Sequence, residues 1–187
     1  ILRHQRGQKI AMLTAYDAML AGLVAPHVDA ILVGDTLGMV VQGHNSTLPV
    51  TLDEMIYHAS MVRRGAPDSF IIGDMPFGSY QTSTAEAIAS AVRFMKEAGV
   101  NAIKLEGAEP HVLECIRRLH NAGVPVMGHT GLKPQSYLNT SGFKLQGKDT
   151  QGQEEILQEA RALKEAGCFA IVLELIGSRL AERITRE

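Results

Sequence analysis

One segment of this chain occurs twice in altered form. Lys96-Glu97-Ala98-Gly99-Val100-Asn101-Ala102-Ile103-Lys104-Leu105-Glu106 corresponds position for position to Lys164-Glu165-Ala166-Gly167-Cys168-Phe169-Ala170-Ile171-Val172-Leu173-Glu174. Each copy reads as a helix end, a glycine stop, an apolar strand and a terminal glutamate. Repetition of an αβ unit is expected where each unit occupies an equivalent place in a barrel of β/α repeats. A second design also recurs. Ile31-Leu32-Val33-Gly34-Asp35 and Phe70-Ile71-Ile72-Gly73-Asp74 are apolar, β-branched runs that stop at Gly-Asp. Such runs read as strands buried on both faces. Gly34 and Gly73 are expected to let the backbone turn. Each aspartate then arrives at the carboxyl end of its strand, where parallel α/β proteins bind ligands.

Strand and helix signals alternate along the rest of the chain. Strands are expected near residues 10–14, 30–34, 70–73, 102–106, 125–128 and 170–175. Helices fill most of the gaps. Thr51-Leu52-Asp53-Glu54 and Ser83-Thr84-Ala85-Glu86 are capping boxes. Pro110 suits a first helical turn, and Gly99, Gly123 and Gly167 serve as stops. The fold class that follows is an α/β, (β/α)8 TIM barrel in one domain over residues 1–187. Six β/α units are legible, and a complete barrel takes ~250 residues. The seventh and eighth strands are therefore expected to be missing from this chain.

Composition excludes several functions. Net charge is −2 with both signs interspersed, which argues against a nucleic-acid or polybasic membrane surface. No apolar run approaches the ~18 residues needed to cross a bilayer, and no signal peptide is visible. Cys115 and Cys168 lie in no metal-binding or redox spacing and read as reduced thiols. Residues 131–153 are rich in glycine and polar residues and lack periodicity, so a lid or substrate loop is expected there, as it is at residues 42–49.

Alternation of faces along the strands gathers polar groups at one end. Lys104 and Glu106 share a face of the fourth strand, Glu174 ends the sixth, and His129 ends the fifth. With Asp35 and Asp74 they would line a barrel mouth. Carboxylates without nearby Cys or His pairs favour Mg²⁺ over Zn²⁺. Such a site suits a 2-oxo acid, whose keto and carboxylate oxygens chelate together, so that the adjacent carbon is acidified. Lys104 adds positive charge where negative charge develops. Glu174 is the candidate base, with Ile171-Val172-Leu173 and Leu175-Ile176 expected to raise its pKa. His58, His111 and His120 read as helix-surface or core-edge groups, His44 as a loop residue, and His4 and His27 carry no pattern. Tyr16 and Asp17 follow the first strand, where Asp17 suits a helix N-cap.

The ordered motifs resemble one family. They are Leu32-Val33-Gly34-Asp35-Thr36-Leu37-Gly38-Met39, Val41-Gln42-Gly43-His44, Ser46-Thr47-Leu48-Pro49-Val50-Thr51, Arg63-Arg64-Gly65-Ala66-Pro67, Asp74-Met75-Pro76-Phe77-Gly78-Ser79-Tyr80, Lys104-Leu105-Glu106-Gly107, Gly128-His129-Thr130-Gly131-Leu132-Lys133-Pro134-Gln135-Ser136, Gly142-Phe143-Lys144-Leu145-Gln146-Gly147 and Val172-Leu173-Glu174. Together they resemble ketopantoate hydroxymethyltransferase over nearly the whole chain. The resemblance implies a (β/α)8 barrel that moves a one-carbon unit from 5,10-methylenetetrahydrofolate to 3-methyl-2-oxobutanoate, on the way to pantothenate and coenzyme A. It implies Asp35, Asp74 and Glu106 as the magnesium site, and Asp35, Thr36, Asp74 and Lys104 as the 2-oxo acid site. Glu174 matches the proton acceptor, and His129 a pocket residue near the new hydroxymethyl group. It further implies a cytoplasmic homo-oligomer, commonly a decamer, with no nucleic-acid or membrane partner. Thr36 stands where the family usually has Ser, Asn45 where Asp is common, and Ala108 and Ser141 where Gly is usual. Two alternatives remain open. One is a magnesium-dependent barrel lyase or mutase acting on pyruvate-like acids, although the Cys-Gly-His segment usual in such lyases is absent. The other is a non-catalytic barrel fragment with open sheet edges.

Overall fold

The computed structural model describes residues 7–139 and 142–187. His4 and Ser141 lie outside the described residues. Six strands follow chain order in one sheet. They are β1 (Met12–Thr14), β2 (Ala30–Val33), β3 (Phe70–Asp74), β4 (Ala102–Lys104), β5 (Val126–Gly131) and β6 (Ala170–Glu174). The helices between and after them are α1 (Ala18–Val24), α2 (Leu37–Val40), α3 (Leu52–Gly65), α4 (Thr84–Ala98), α5 (Pro110–Asn121), α6 (Thr150–Ala166) and α7 (Ser178–Arg186). Backbone contacts group the chain into two compact units, Ile1–Pro76 with Ser90–Ile103, and Phe77–Ala89 with Lys104–Glu187.

In the first unit β1, β2 and β3 pair in parallel, with Leu13 opposite Ile31, Ile31 opposite Ile71 and Val33 opposite Gly73. Ile31, Val33, Ile71 and Ile72 are buried with Met55, Ala59 and Val62 of α3 and Phe94 of α4. Helix α3 starts at the expected capping box: Glu54 N–H donates to Thr51 Oγ1 (3.2 Å) and Thr51 N–H to Glu54 Oε2 (2.7 Å). Asp17 is the N-cap of α1, its Oδ1 accepting from Leu20 N–H at 2.8 Å. His58 Nδ1 lies 2.7 Å from the Tyr16 carbonyl oxygen and ties α3 to the turn after β1.

The Gly-Asp motifs need a correction. Neither Gly34 nor Gly73 has positive φ, so neither supplies a turn that other residues refuse. Both are small because something packs against them. A Cβ on Gly73 would meet the Phe94 ring at 2.6 Å, and one on Gly34 would meet Thr36 Oγ1 at 3.0 Å. Strand β3 also runs one residue past Gly73, to Asp74.

In the second unit β5 and β6 pair in parallel, placing His129 opposite Val172 and Gly131 opposite Glu174. The buried faces of α5 (Val112, Cys115, Ile116, Leu119) and α6 (Ile156, Leu157, Ala160, Leu163) complete this core. Gly167 closes α6 in the left-handed conformation (φ 108°), as the glycine stop predicts. Burial pushes the Cys168 thiol up to about 12, and Cys115 is buried, so neither thiol carries thiolate character. Among the described residues, the segment 131–153 holds the end of β5, a 3₁₀ turn over Pro134–Ser136, irregular backbone bridged at Gln146 to Ile176, and the first turn of α6.

Candidate active site

Two groups of side chains stand at the strand ends, one in each unit. In the first, Asp35 follows β2 and Asp74 closes β3, and they are 1% and 2% exposed. The β2–β3 register brings them together, with Asp35 N–H 3.4 Å from Asp74 Oδ2. Thr36 follows at once, and its Oγ1 is 3.1 Å from the Tyr16 hydroxyl. Tyr16 therefore reaches this group, while Asp17 does not, being spent on the α1 cap.

The second group holds Lys104, Glu106, His129 and Glu174. Lys104 Nζ is 3.7 Å from Glu106 Oε1, and both side chains are almost fully buried. His129 is 1% exposed and lies between two carboxylates: Nδ1 is 3.8 Å from Glu106 Oε1, and Nε2 is 3.4 Å from Glu174 Oε2. Burial, reinforced by the Lys104 charge, pushes the His129 pKa well below the ordinary histidine value, outweighing the opposing backbone contact at Leu132. The ring is therefore neutral near pH 7, and the two approaches to carboxylates are not ion pairs. Among the described residues neither ring nitrogen makes a hydrogen bond of good geometry. Buried polar atoms of this kind mark places where a ligand or water belongs.

Glu174 departs from expectation in one respect. Its side chain is 37% exposed, and β6 is half-buried along its whole length. The apolar enclosure anticipated from Ile171 to Ile176 is absent because β6 ends the described sheet, with a strand neighbour on one side. Its backbone is nonetheless held firmly. Leu132 N–H donates to the Glu174 carbonyl (2.9 Å), and Gln146 N–H to the Leu175 carbonyl (2.8 Å). Leu175 has φ 46°, the one positive φ at a non-glycine residue among the described residues. Such strain persists only where surrounding contacts impose it.

Two further residues join the second group without having been singled out in the sequence. Tyr80 (1% exposed) and Gln135 (6% exposed) are hydrogen-bonded around Glu106. Both lie in the quoted motifs, but no local pattern tells a buried tyrosine that holds a carboxylate from one that fills a core. Lys133 is turned away from the site, toward Glu109 (2.8 Å) and Glu159 (3.5 Å). The histidines His58, His111 and His120 take no part in either group.

The donors at these strand ends are carboxylate oxygens. Asp35, Asp74 and Glu106 are buried, and Lys104 is the one buried lysine or arginine among the described residues. Each group by itself offers carboxylate oxygens of the kind a divalent cation accepts. Among the described residues, no three His, Cys, Asp or Glu side chains form a ready-made metal cage. Magnesium does not ask for one, because it keeps several waters and takes one or two carboxylates. Asp35 and Asp74, both buried at neighbouring strand ends, are two such carboxylates.

A model of the family described as ketopantoate hydroxymethyltransferase matches residues 2–187. A protein of Anaeromyxobacter sp. (strain Fw109-5) named 3-methyl-2-oxobutanoate hydroxymethyltransferase is 55% identical over 186 residues, covering 97% of this chain and 61% of its own length. The rice protein (Oryza sativa subsp. japonica) named 3-methyl-2-oxobutanoate hydroxymethyltransferase 2, mitochondrial, is 50% identical over 98% of this chain and 46% of its own length. This chain thus spans about three fifths or less of these relatives. Among solved structures, 2,3-dimethylmalate lyase, a PEP mutase/isocitrate lyase superfamily member, matches at TM-score 0.72 and 19% identity, over 99% of this chain and 66% of that one. Phosphonopyruvate hydrolase, in complex with oxalate and Mg²⁺, matches at TM-score 0.71 and 12% identity, over 98% of this chain and 65% of that one. At such identities the likeness shows the fold, an α/β barrel of which this chain supplies six β/α units. The sequence match goes further: the chain belongs to the ketopantoate hydroxymethyltransferase family.

Proposed function

We propose that this chain carries the metal and acid–base residues of an enzyme that transfers a hydroxymethyl group from 5,10-methylenetetrahydrofolate to 3-methyl-2-oxobutanoate, giving ketopantoate. The observation that carries this reading is the buried His129 ring lying between the Glu106 and Glu174 carboxylates, in a chain of this family. Asp35, Asp74 and Glu106 would supply carboxylates for Mg²⁺; the burial of all three, with Asp35 N–H 3.4 Å from Asp74 Oδ2, supports that assignment. When bound, magnesium lends Lewis acidity to the keto and carboxylate oxygens of the 2-oxo acid.

The chain's own residues account for the rest of the first step. Asp35, Thr36, Asp74 and Lys104 hold the 2-oxo acid. Glu174 removes the proton from C3, and the electron pair of the broken C–H bond delocalises into the keto group. Lys104, buried and fixed 3.7 Å from Glu106, places a positive charge where the keto oxygen gains negative charge. The C3 carbon then bonds to the methylene carbon of 5,10-methylenetetrahydrofolate, whose C–N bonds break; water supplies the hydroxyl oxygen, tetrahydrofolate leaves, and a His129 ring nitrogen faces the new hydroxyl group.

The same reading takes the enzyme to be a cytoplasmic homo-oligomer, a decamer by family resemblance, acting on small molecules alone. Exposed Met19 and Leu23 on α1 and Tyr57 on α3 support an association surface in the first unit. The full-length protein, given both substrates and Mg²⁺, is expected to form ketopantoate and to lose activity on chelation. Turnover of a C–C lyase substrate without folate would overturn the reading.

A further inference from the structure

Glu106 has two oxygens with different surroundings. Oε1 faces Lys104 Nζ at 3.7 Å and His129 Nδ1 at 3.8 Å, while Oε2 accepts from Gln135 N–H at 3.0 Å. Glu106 N–H in turn donates to the Tyr80 hydroxyl oxygen at 3.2 Å. That hydroxyl donates to Gln135 Oε1 at 2.7 Å. A closed ring of bonds results, running from the Glu106 backbone through the phenol to Gln135, and from the Gln135 backbone to the Glu106 carboxylate. It joins the end of β4, the segment before α4 and the 3₁₀ turn after β5.

Gln81 fixes the orientation of the Gln135 amide. Its Nε2 donates to Gln135 Oε1 at 3.0 Å, and its own Oε1 accepts from Gly78 N–H at 2.7 Å. Gln135 Oε1 thus has two donors aimed at it, which settles which end of the amide faces Tyr80. A buried tyrosine in an ordinary core satisfies its hydroxyl on any nearby carbonyl. Here the hydroxyl serves the backbone and the carboxylate holder of one acidic residue.

We propose that Tyr80 and Gln135 are positioning residues that fix the Glu106 carboxylate, anchoring one oxygen so that the other stays turned toward Lys104 and His129. This rests on the reading of Glu106 as a magnesium ligand. Neither residue touches the reacting atoms. Both act through Glu106, as the outer partners of metal ligands commonly do.

The test uses the full-length enzyme with Mn²⁺ as the probe, its affinity read from the electron paramagnetic resonance of the free ion without substrate. Tyr80→Phe breaks the ring at the phenol. Gln135→Met, of similar volume, breaks the same bond from the other side and serves if the first variant folds poorly. Each is expected to weaken Mn²⁺ binding about tenfold or more. Turnover is expected to return to within a few-fold of wild type at saturating metal. A merely structural role would lower the unfolding temperature and leave the affinity of the folded protein unchanged. Wild-type affinity in both variants, with affinity lost in Glu106→Gln, refutes the positioning role and leaves the proposed function standing. Wild-type affinity in Glu106→Gln itself removes Glu106 from the metal site, and the positioning role falls with it.

Discussion

Gly73→Ala tests whether close helix–strand packing, rather than backbone freedom, explains the glycine before Asp74. The added methyl would lie 2.6 Å from Phe94 Cζ and 2.9 Å from both Cε atoms. Carbon atoms rest at about 3.5–4.0 Å, so the ring would have to retreat by roughly 1 Å. Phe94 is fully buried and has nowhere to go without moving α4. Overpacking of this kind costs about 1–3 kcal/mol. Phe94→Leu alone trims the ring and leaves a partial cavity, at about 1–2 kcal/mol, well below the cost of truncation to Ala. In the double variant the methyl fills part of that space and the clash disappears. The two costs should therefore fall short of their sum by about 1–2 kcal/mol. Urea midpoints of the full-length protein, followed by circular dichroism, give the cycle. Additive losses, or a Gly73→Ala variant as stable as wild type, would refute the packing argument. Because Asp74 is the next residue, the single variant should also lose substrate turnover, and Phe94→Leu should restore part of it.

Three further expectations follow from other parts of the chain. All five Arg63 donors are used, on the carbonyls of Gly99, Pro67 and Ser69 and on Asn101 Oδ1, so Arg63→Lys should cost about 2 kcal/mol in thermal or urea unfolding. At Leu175, φ 46° makes Leu175→Val destabilising by about 1–2 kcal/mol, whereas Leu175→Gly should be close to neutral in the same unfolding assay. The Lys133–Glu109 pair sets a pH dependence. Burial alone would raise the Glu109 pKa and lower that of Lys133, but the hydrogen bond between them, with Glu159 adding to Lys133, reverses both. Glu109 therefore contributes stability above its unfolded pKa that is lost as pH falls through its lowered folded value. Lys133 contributes below its unfolded pKa, and that part is lost as pH rises through its raised folded value. Urea midpoints across pH should show both limbs flattened in Lys133→Met.

Much of the fold is legible in the sequence because it is written in local patterns. The runs ending at Val33 and Asp74 are β-branched and become β2 and β3, and Gly167 ends α6 at φ 108° as a glycine stop should. Helix α7 is not legible: its one buried residue is Leu180, too little to print an apolar stripe. The role of Gly73 is also invisible, because Phe94 approaches it from a distant helix. In the candidate site, alternation and strand ends bring Lys104, Glu106, His129 and Glu174 to one place, and these four do stand near one another, although β4 itself ends at Lys104. Tyr80 and Gln135 escape because their bonds to Glu106 bridge distant segments. The exposure of Glu174 escapes because burial depends on strand neighbours, which its own flanking residues do not reveal.

Hydrogen exchange at C3 of 3-methyl-2-oxobutanoate, followed by NMR in D₂O with the full-length protein and Mg²⁺, isolates the proton transfer from the folate step. Exchange is expected in the wild type, and a loss of about 10²–10⁴-fold in Glu174→Gln, with Mn²⁺ binding unchanged. Undiminished exchange in that variant would contradict the assignment of Glu174 as the base.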